Sequence, residues 1–164
     1  MPLAFSASIT FEQMYSGVEG DSASVSELFA LLSSLSEIPV KQGIAVTGSV
    51  NHLGEIQPVV GCNEKIEGMY KVCKLKGLTD EQGVIIPRRN MGNLMLEREV
   101  IVAIRDRKFH LWAVDSVDEG IEILTGVAAG TRGVDGEFPA GSINHRVEKR
   151  LRELATKIQG HTSP

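Results

Sequence analysis

Residues 83–87 read Gly83-Val84-Ile85-Ile86-Pro87, a short, continuously apolar run bounded by a glycine and a proline. Five residues are too few for a useful helix, and unbroken apolarity implies a strand buried on both faces. Working outward, residues 43–50 (GIAVTGSV) read as a buried strand, Asn51-His52-Leu53-Gly54 as a turn, and residues 55–60 as a second strand completing a hairpin. Asn63 has the chemistry of an N-cap for a helix running to about Lys76, with Ile66, Met69, Tyr70 and Cys73 inward. Downstream, residues 97–107 predict a helix, 109–114 (FHLWAV) a strand, and 117–124 a short helix. Strands and helices alternate without a strict order, so the fold class is α/β (α+β): small mixed sheets packed with helices.

The two ends of the chain differ in character. Residues 3–11 (LAFSASITF) alternate, placing Leu3, Phe5, Ala7, Ile9 and Phe11 on one face of a half-buried strand. Val25, Leu28, Phe29, Leu32 and Leu35 then recur at helical spacing within 22–36, and Ser36-Glu37-Ile38-Pro39 closes that helix. Residues 126–142 carry five glycines and little hydrophobicity, which reads as a loop or linker. From residue 144 to about 158 a basic amphipathic helix is expected, with Val147, Leu151 and Leu154 on one side. The division is therefore a domain over 1–125, followed by a linker and basic helix over 126–164.

Composition removes several function classes. Hydrophobic residues make up 42% and charged residues 23%, ordinary for a globular domain of 164 residues. A net charge of −4 gives no global attraction for nucleic acid or anionic membrane. No apolar run approaches the roughly 20 residues of a membrane span. Cys62 and Cys73 make neither a disulfide framework nor a zinc pattern with the histidines, which fits a reducing cytoplasm.

Chemistry concentrates in Glu19-Gly20-Asp21-Ser22-Ala23-Ser24, a small-residue turn leading into a helix. Asp21 suits an N-cap and Ser22 the first helical turn. There a hydroxyl is exposed, and free N–H groups with the positive helix end can stabilise an oxyanion. Asp and Ser at a helix start are also ordinary capping residues, and composition alone favours that plainer role.

The hexapeptide resembles the nucleophile motif of the Lon proteases, in the form of the archaeal type and of bacterial Lon-like proteins. Further matches follow in order: Ala45-Val46-Thr47-Gly48-Ser49, Gly54-Glu55-Ile56-Gln57-Pro58-Val59-Val60-Gly61, Asn63-Glu64-Lys65-Ile66-Glu67 and Val84-Ile85-Ile86-Pro87. The similarity spans roughly residues 5–125. It implies the Lon proteolytic domain fold, a serine endopeptidase with Ser22 as nucleophile and Lys65 as its base, and Thr47 orienting the lysine. Asp21 is a supporting neighbour. One position departs: the family usually has two glycines where this chain has Val60-Gly61, while Lys65 keeps its spacing.

Elementary chemistry is compatible with that assignment. A free lysine is protonated at neutral pH and is a poor base. Lys65 falls in the first turn of its helix, where the dipole disfavours a cation, and Val59 and Val60 would add desolvation. The plainer alternative is a solvated surface lysine. His52 and His110 read as turn and strand residues, Trp112 as core, and the two cysteines as buried packing residues. Arg146, Lys149, Arg150 and Arg152 read as a solvated helix face.

The resemblance further implies unfolded polypeptide substrates and a homo-oligomeric ring, commonly a hexamer. No cofactor is expected in this chain; ATP and Mg belong to the family's unfolding module, whose phosphate loop is absent from these 164 residues. Further strands are expected upstream of residues 3–11. Two other readings stay open: an ATP-independent small-peptide hydrolase, and an assembly domain that keeps the motif without competent geometry.

Overall fold

The computed structural model describes residues 7–10 and 20–160. Its centre is the run from which the sequence reading starts. Strand β4 (Gly83–Pro87) is buried at all five positions. It lies between β1 (Ile44–Val46) and β5 (His110–Val114), parallel to both. Gly83 permits the close approach of β5, since a Cβ there would overlap the His110 carbonyl and the Trp112 ring.

Successive side chains of a strand point to opposite faces, and β4 uses both. Ile85 joins one core with Val25 and Phe29 of α1 (Ser24–Ser36), Ile121 and Leu124 of α4 (Val117–Thr125), and Ile143 of α5 (Ile143–Gly160). Val84 and Ile86 join the other with Ile66 and Tyr70 of α2 (Cys62–Lys76), Val100 and Ala103 of α3 (Arg98–Arg105), and Phe109. The result is a helix–sheet–helix sandwich, an α/β arrangement with a second, two-stranded sheet at one end of β1. Each fully buried aliphatic side chain of this kind stabilises the fold by about 1.5–3 kcal/mol relative to exposure. Residues 126–142 contain no helix or strand, yet they lie against the body: Ala129 is buried in the first core, and the Glu122 carboxylate accepts the Ala129 N–H at 2.8 Å.

Several expectations need correction. The strand expected over 43–50 is two strands in two sheets. β1 pairs with β4, whereas β2 (Ser49–Val50) pairs antiparallel with β3 (Ile56–Gln57) in the hairpin. The break at Thr47-Gly48 arises because those two N–H groups turn to different acceptors. β3 is shorter than expected, but the hairpin turn holds, with the Asn51 carboxamide accepting the Leu53 and Glu55 N–H groups. Of the strand expected over 3–11, residues 7–10 form no strand and are exposed; the remainder lies outside the described residues. A 3-10 helix (Arg88–Asn93) directly after β4 was not expected.

Candidate active site

The site is built where β1 leaves its sheet. The Thr47 N–H still donates to the Ile85 carbonyl of β4, at 3.1 Å. One residue on, the Gly48 N–H donates instead to the Ser22 carbonyl at 3.0 Å, and the Gly48 carbonyl accepts from Val25 N–H at 3.4 Å. Residue 48 must be small, because a Cβ there would press on Ile56 and Val25 at 3.2 Å. Two hydroxyls of α1 complete the stitching. Ser24 Oγ accepts the Val50 N–H at 3.1 Å, and Ser26 Oγ donates to the Val46 carbonyl at 3.3 Å. The turn that carries Ser22 is thereby tied to the end of β1.

Lys65 arrives from the opposite side of the sheet end. Gly61, at φ +74°, starts α2, and its carbonyl accepts the Lys65 N–H at 3.2 Å. Ile66 and Tyr70 bury one flank of α2 against β4, which leaves Lys65 on the exposed flank, directed toward the Ser22 turn. Its Nζ lies 3.0 Å from Ser22 Oγ and 2.9 Å from Thr47 Oγ1, across 43 and 18 positions of sequence. Thr47 is only 3% exposed, and its hydroxyl donates to the Ser22 carbonyl at 3.4 Å. An amine and a serine hydroxyl at this separation can exchange a proton in either direction.

Three of the four expected site residues therefore converge: Ser22, Lys65 and Thr47. Asp21 does not join them through its side chain. It is exposed and contributes its main-chain carbonyl, which accepts the Ser24 N–H at 3.0 Å. The N-cap of α1 is Ala23, so Ser22 sits in the turn before the helix rather than in its first helical turn. The N-cap of α2 is likewise Gly61 rather than Asn63. With its left-handed φ, Gly61 starts the helix two residues earlier, and the Asn63 carboxamide instead accepts the Met95 N–H at 3.0 Å.

The other candidates stay apart from this cluster. His52 is exposed in the hairpin turn. One ring nitrogen of His110, Nε2, lies 2.7 Å from the Asp80 carbonyl, and the ring stacks on Trp112 at 5.3 Å. Cys62 and Cys73 are buried and free. Burial pushes the Cys62 thiol up, with Lys65 opposing and Glu64 reinforcing; burial also pushes up Cys73, with Lys76 opposing. In the basic helix, Arg152 pairs with Glu148, Arg150 with Glu153, and Arg146 donates to the Gly141 carbonyl. Among the described residues no three His, Cys, Asp or Glu side chains cluster to hold a metal ion, and no helix is long and apolar enough to cross a membrane. Sequence reasoning missed Ser24, Ser26 and Gly48 as parts of the site. Ser24 and Gly48 lie within the quoted motifs and Ser26 two positions beyond one, but each acts through the backbone of the other segment, which residue type alone does not signal.

The pattern of the Lon protease (S16) C-terminal proteolytic domain matches residues 16–126. A putative Lon protease homolog of Escherichia coli (strain K12) is 43% identical over 162 residues, which are 99% of this chain and 27% of that protein. One from Haemophilus influenzae is 36% identical over 153 residues, 93% of this chain and 26% of the relative. An archaeal Lon protease of Methanothermobacter thermautotrophicus is 46% identical over 91 residues, 56% of this chain and 13% of its own length. The chain thus spans about a quarter of the two bacterial relatives.

Proposed function

Because the chain belongs to the family of Lon C-terminal proteolytic domains, a family of serine peptidases, we propose that it hydrolyses peptide bonds with Ser22 as nucleophile and Lys65 as base. The observation that carries the reading is the contact of Lys65 Nζ with Ser22 Oγ at 3.0 Å, with the buried Thr47 hydroxyl 2.9 Å from the same nitrogen. Nothing about a solvated surface lysine requires two hydroxyls from two other elements at that distance.

The neutral Lys65 amine accepts the Ser22 proton as Oγ attacks the carbonyl carbon of a peptide bond. Backbone N–H groups of the Ser22 turn, with the positive end of α1 behind them, hold the oxyanion. Collapse breaks the C–N bond, and the lysine ammonium passes its proton to the leaving amine. Water then gives a proton to Lys65 as it attacks the acyl carbon. Release of the acid returns that proton to Ser22. Thr47 aims the amine throughout, and Asp21 shapes the turn through its main chain.

At the level of the whole protein, the family membership supports unfolded polypeptides as substrates and a homo-oligomeric ring, with six subunits the commonest arrangement. It also supports ATP and Mg acting in a separate unfolding module, and work in the cytoplasm. Residues 1–125 are taken as the proteolytic domain and 126–164 as its C-terminal extension. The test is turnover of an unstructured peptide by the full-length protein carrying Ser22→Ala. Loss of turnover with an unchanged melting temperature is expected; wild-type turnover in a clean preparation would remove Ser22 from the mechanism.

A further inference from the structure

The approach to Lys65 is held by a residue outside the dyad. Asn90 lies in the 3-10 helix that follows β4, three positions beyond Pro87. Its carboxamide meets the main chain of Val59 twice: Nδ2 donates to the Val59 carbonyl at 2.7 Å, and Oδ1 accepts the Val59 N–H at 3.1 Å. One side chain thus does for Val59 what a neighbouring strand does for a paired residue. The position matters, because β3 has ended at Gln57 and α2 has not begun until Cys62. Side-chain packing does little for the intervening stretch: Val60 is 89% exposed, and Gly61 has no side chain to pack. The amide pair satisfies both polar groups of a residue that no ladder reaches.

Two more clasps act farther along the same helix. Asn63 Oδ1 accepts the Met95 N–H at 3.0 Å, and Glu67 Oε1 accepts the Glu97 N–H at 2.9 Å. Of these three, only Asn90 acts ahead of the first turn, where a helix's origin is set. The other half of the dyad is referenced to the same strand, since Thr47 N–H bonds Ile85 of β4 while its hydroxyl and Gly48 N–H hold the Ser22 carbonyl. The segment 83–93 therefore holds both partners, β4 through Thr47 and the 3-10 helix that follows it through Asn90. We propose that Asn90 is a positioning residue for the Ser22–Lys65 pair, fixing the start of α2 so that Lys65 Nζ meets Ser22 Oγ. The inference rests on the peptidase reading above.

The experiment uses the full-length protein with Asn90→Asp and Asn90→Ala. The aspartate keeps the shape and the acceptor for the Val59 N–H but sets a carboxylate oxygen against the Val59 carbonyl. Peptide kcat and KM are measured, together with the rate at which a fluorophosphonate modifies Ser22. The modification rate is also measured in a Lys65→Ala background. A misplacement of order 1 Å predicts that kcat and the modification rate fall about a hundredfold. KM should stay within about twofold, the pattern of an interaction that matters only in the transition state. In the Lys65→Ala background Asn90→Asp should cost nothing further, because its effect passes through the lysine. An Asn90→Asp enzyme within about threefold of the parent, or an equal loss in both backgrounds, overturns the positioning role. Should Asn90→Ala fail to fold, the near-isosteric Asn90→Asp carries the test alone. Ser22→Ala is assayed in parallel. If it retains turnover, the peptidase reading itself fails; if it is inactive while Asn90→Asp behaves as the parent, only the role of Asn90 falls.

Discussion

Lys65 Nζ, at the tip of a side chain on the exposed flank of α2, lies 2.9 Å from Oγ1 of Thr47, which is buried at the end of β1. A long, exposed side chain ordinarily samples many rotamers, and holding it in one costs up to about 2 kcal/mol of entropy. A buried hydroxyl that cannot itself move is a suitable anchor for that purpose. The same Thr47 hydroxyl donates to the Ser22 carbonyl, so a single side chain touches both partners of the proposed dyad.

Thr47→Val keeps the branched shape and removes only the hydroxyl. The loss of its hydrogen bonds should cost about 1 kcal/mol of stability. If the amine swings by about 1 Å, peptide turnover should fall about a hundredfold. Circular dichroism melting and kcat on an unstructured peptide separate the two effects. Normal turnover would leave Thr47 as a strand residue only.

Lys65→Arg replaces a group that can lose its proton by one that does not. Loss of a positioned general base predicts a fall in kcat of about a hundredfold to ten-thousandfold. An active Lys65→Arg enzyme would point to a different base, with His52 and His110 next to be replaced.

Cys62 and Cys73 supply a check on the packing of α2. Burial is the largest cause raising both thiols, which means less thiolate at a given pH, and thiolate is the reactive form. Iodoacetamide at mildly alkaline pH should modify both at least about tenfold more slowly in the folded protein than in urea. The sign for stability follows from the same direction. Unfolded thiols ionise first, near about 8.5, so any contribution of these groups is intact below that pH and is lost as pH climbs beyond it. Rapid modification of the folded protein would contradict the buried placement.

The legible parts of the structure were those decided locally. Val84, Ile85 and Ile86 declare a two-faced strand by apolarity alone, and the helical spacing of Val25, Phe29 and Leu32 declares α1. Less legible was anything settled by a distant acceptor. The strand expected over 43–50 breaks because Thr47 and Gly48 send their N–H groups to Ile85 and Ser22, and neither partner is visible in a local pattern. Asp21 and Asn63 look like caps by residue type, yet Ala23 and Gly61 take those positions because backbone geometry decides where each helix begins. Ser22 and Lys65 stand 43 positions apart, and only the ordered family motifs coupled them in the sequence. Asn90 carried no signal, because a carboxamide acting on a main chain 31 positions away leaves no periodicity.

The central claim is that Ser22 is a nucleophile activated by Lys65. Its most direct measurement is mass-spectrometric mapping of the fluorophosphonate adduct on the full-length protein, with modification rates for the parent, Ser22→Ala and Lys65→Arg. The account predicts one adduct, on Ser22, absent in Ser22→Ala and formed at least about a hundredfold more slowly in Lys65→Arg. An adduct on another residue that accompanies loss of peptidase activity, or equal modification of Ser22 in parent and Lys65→Arg, would contradict it.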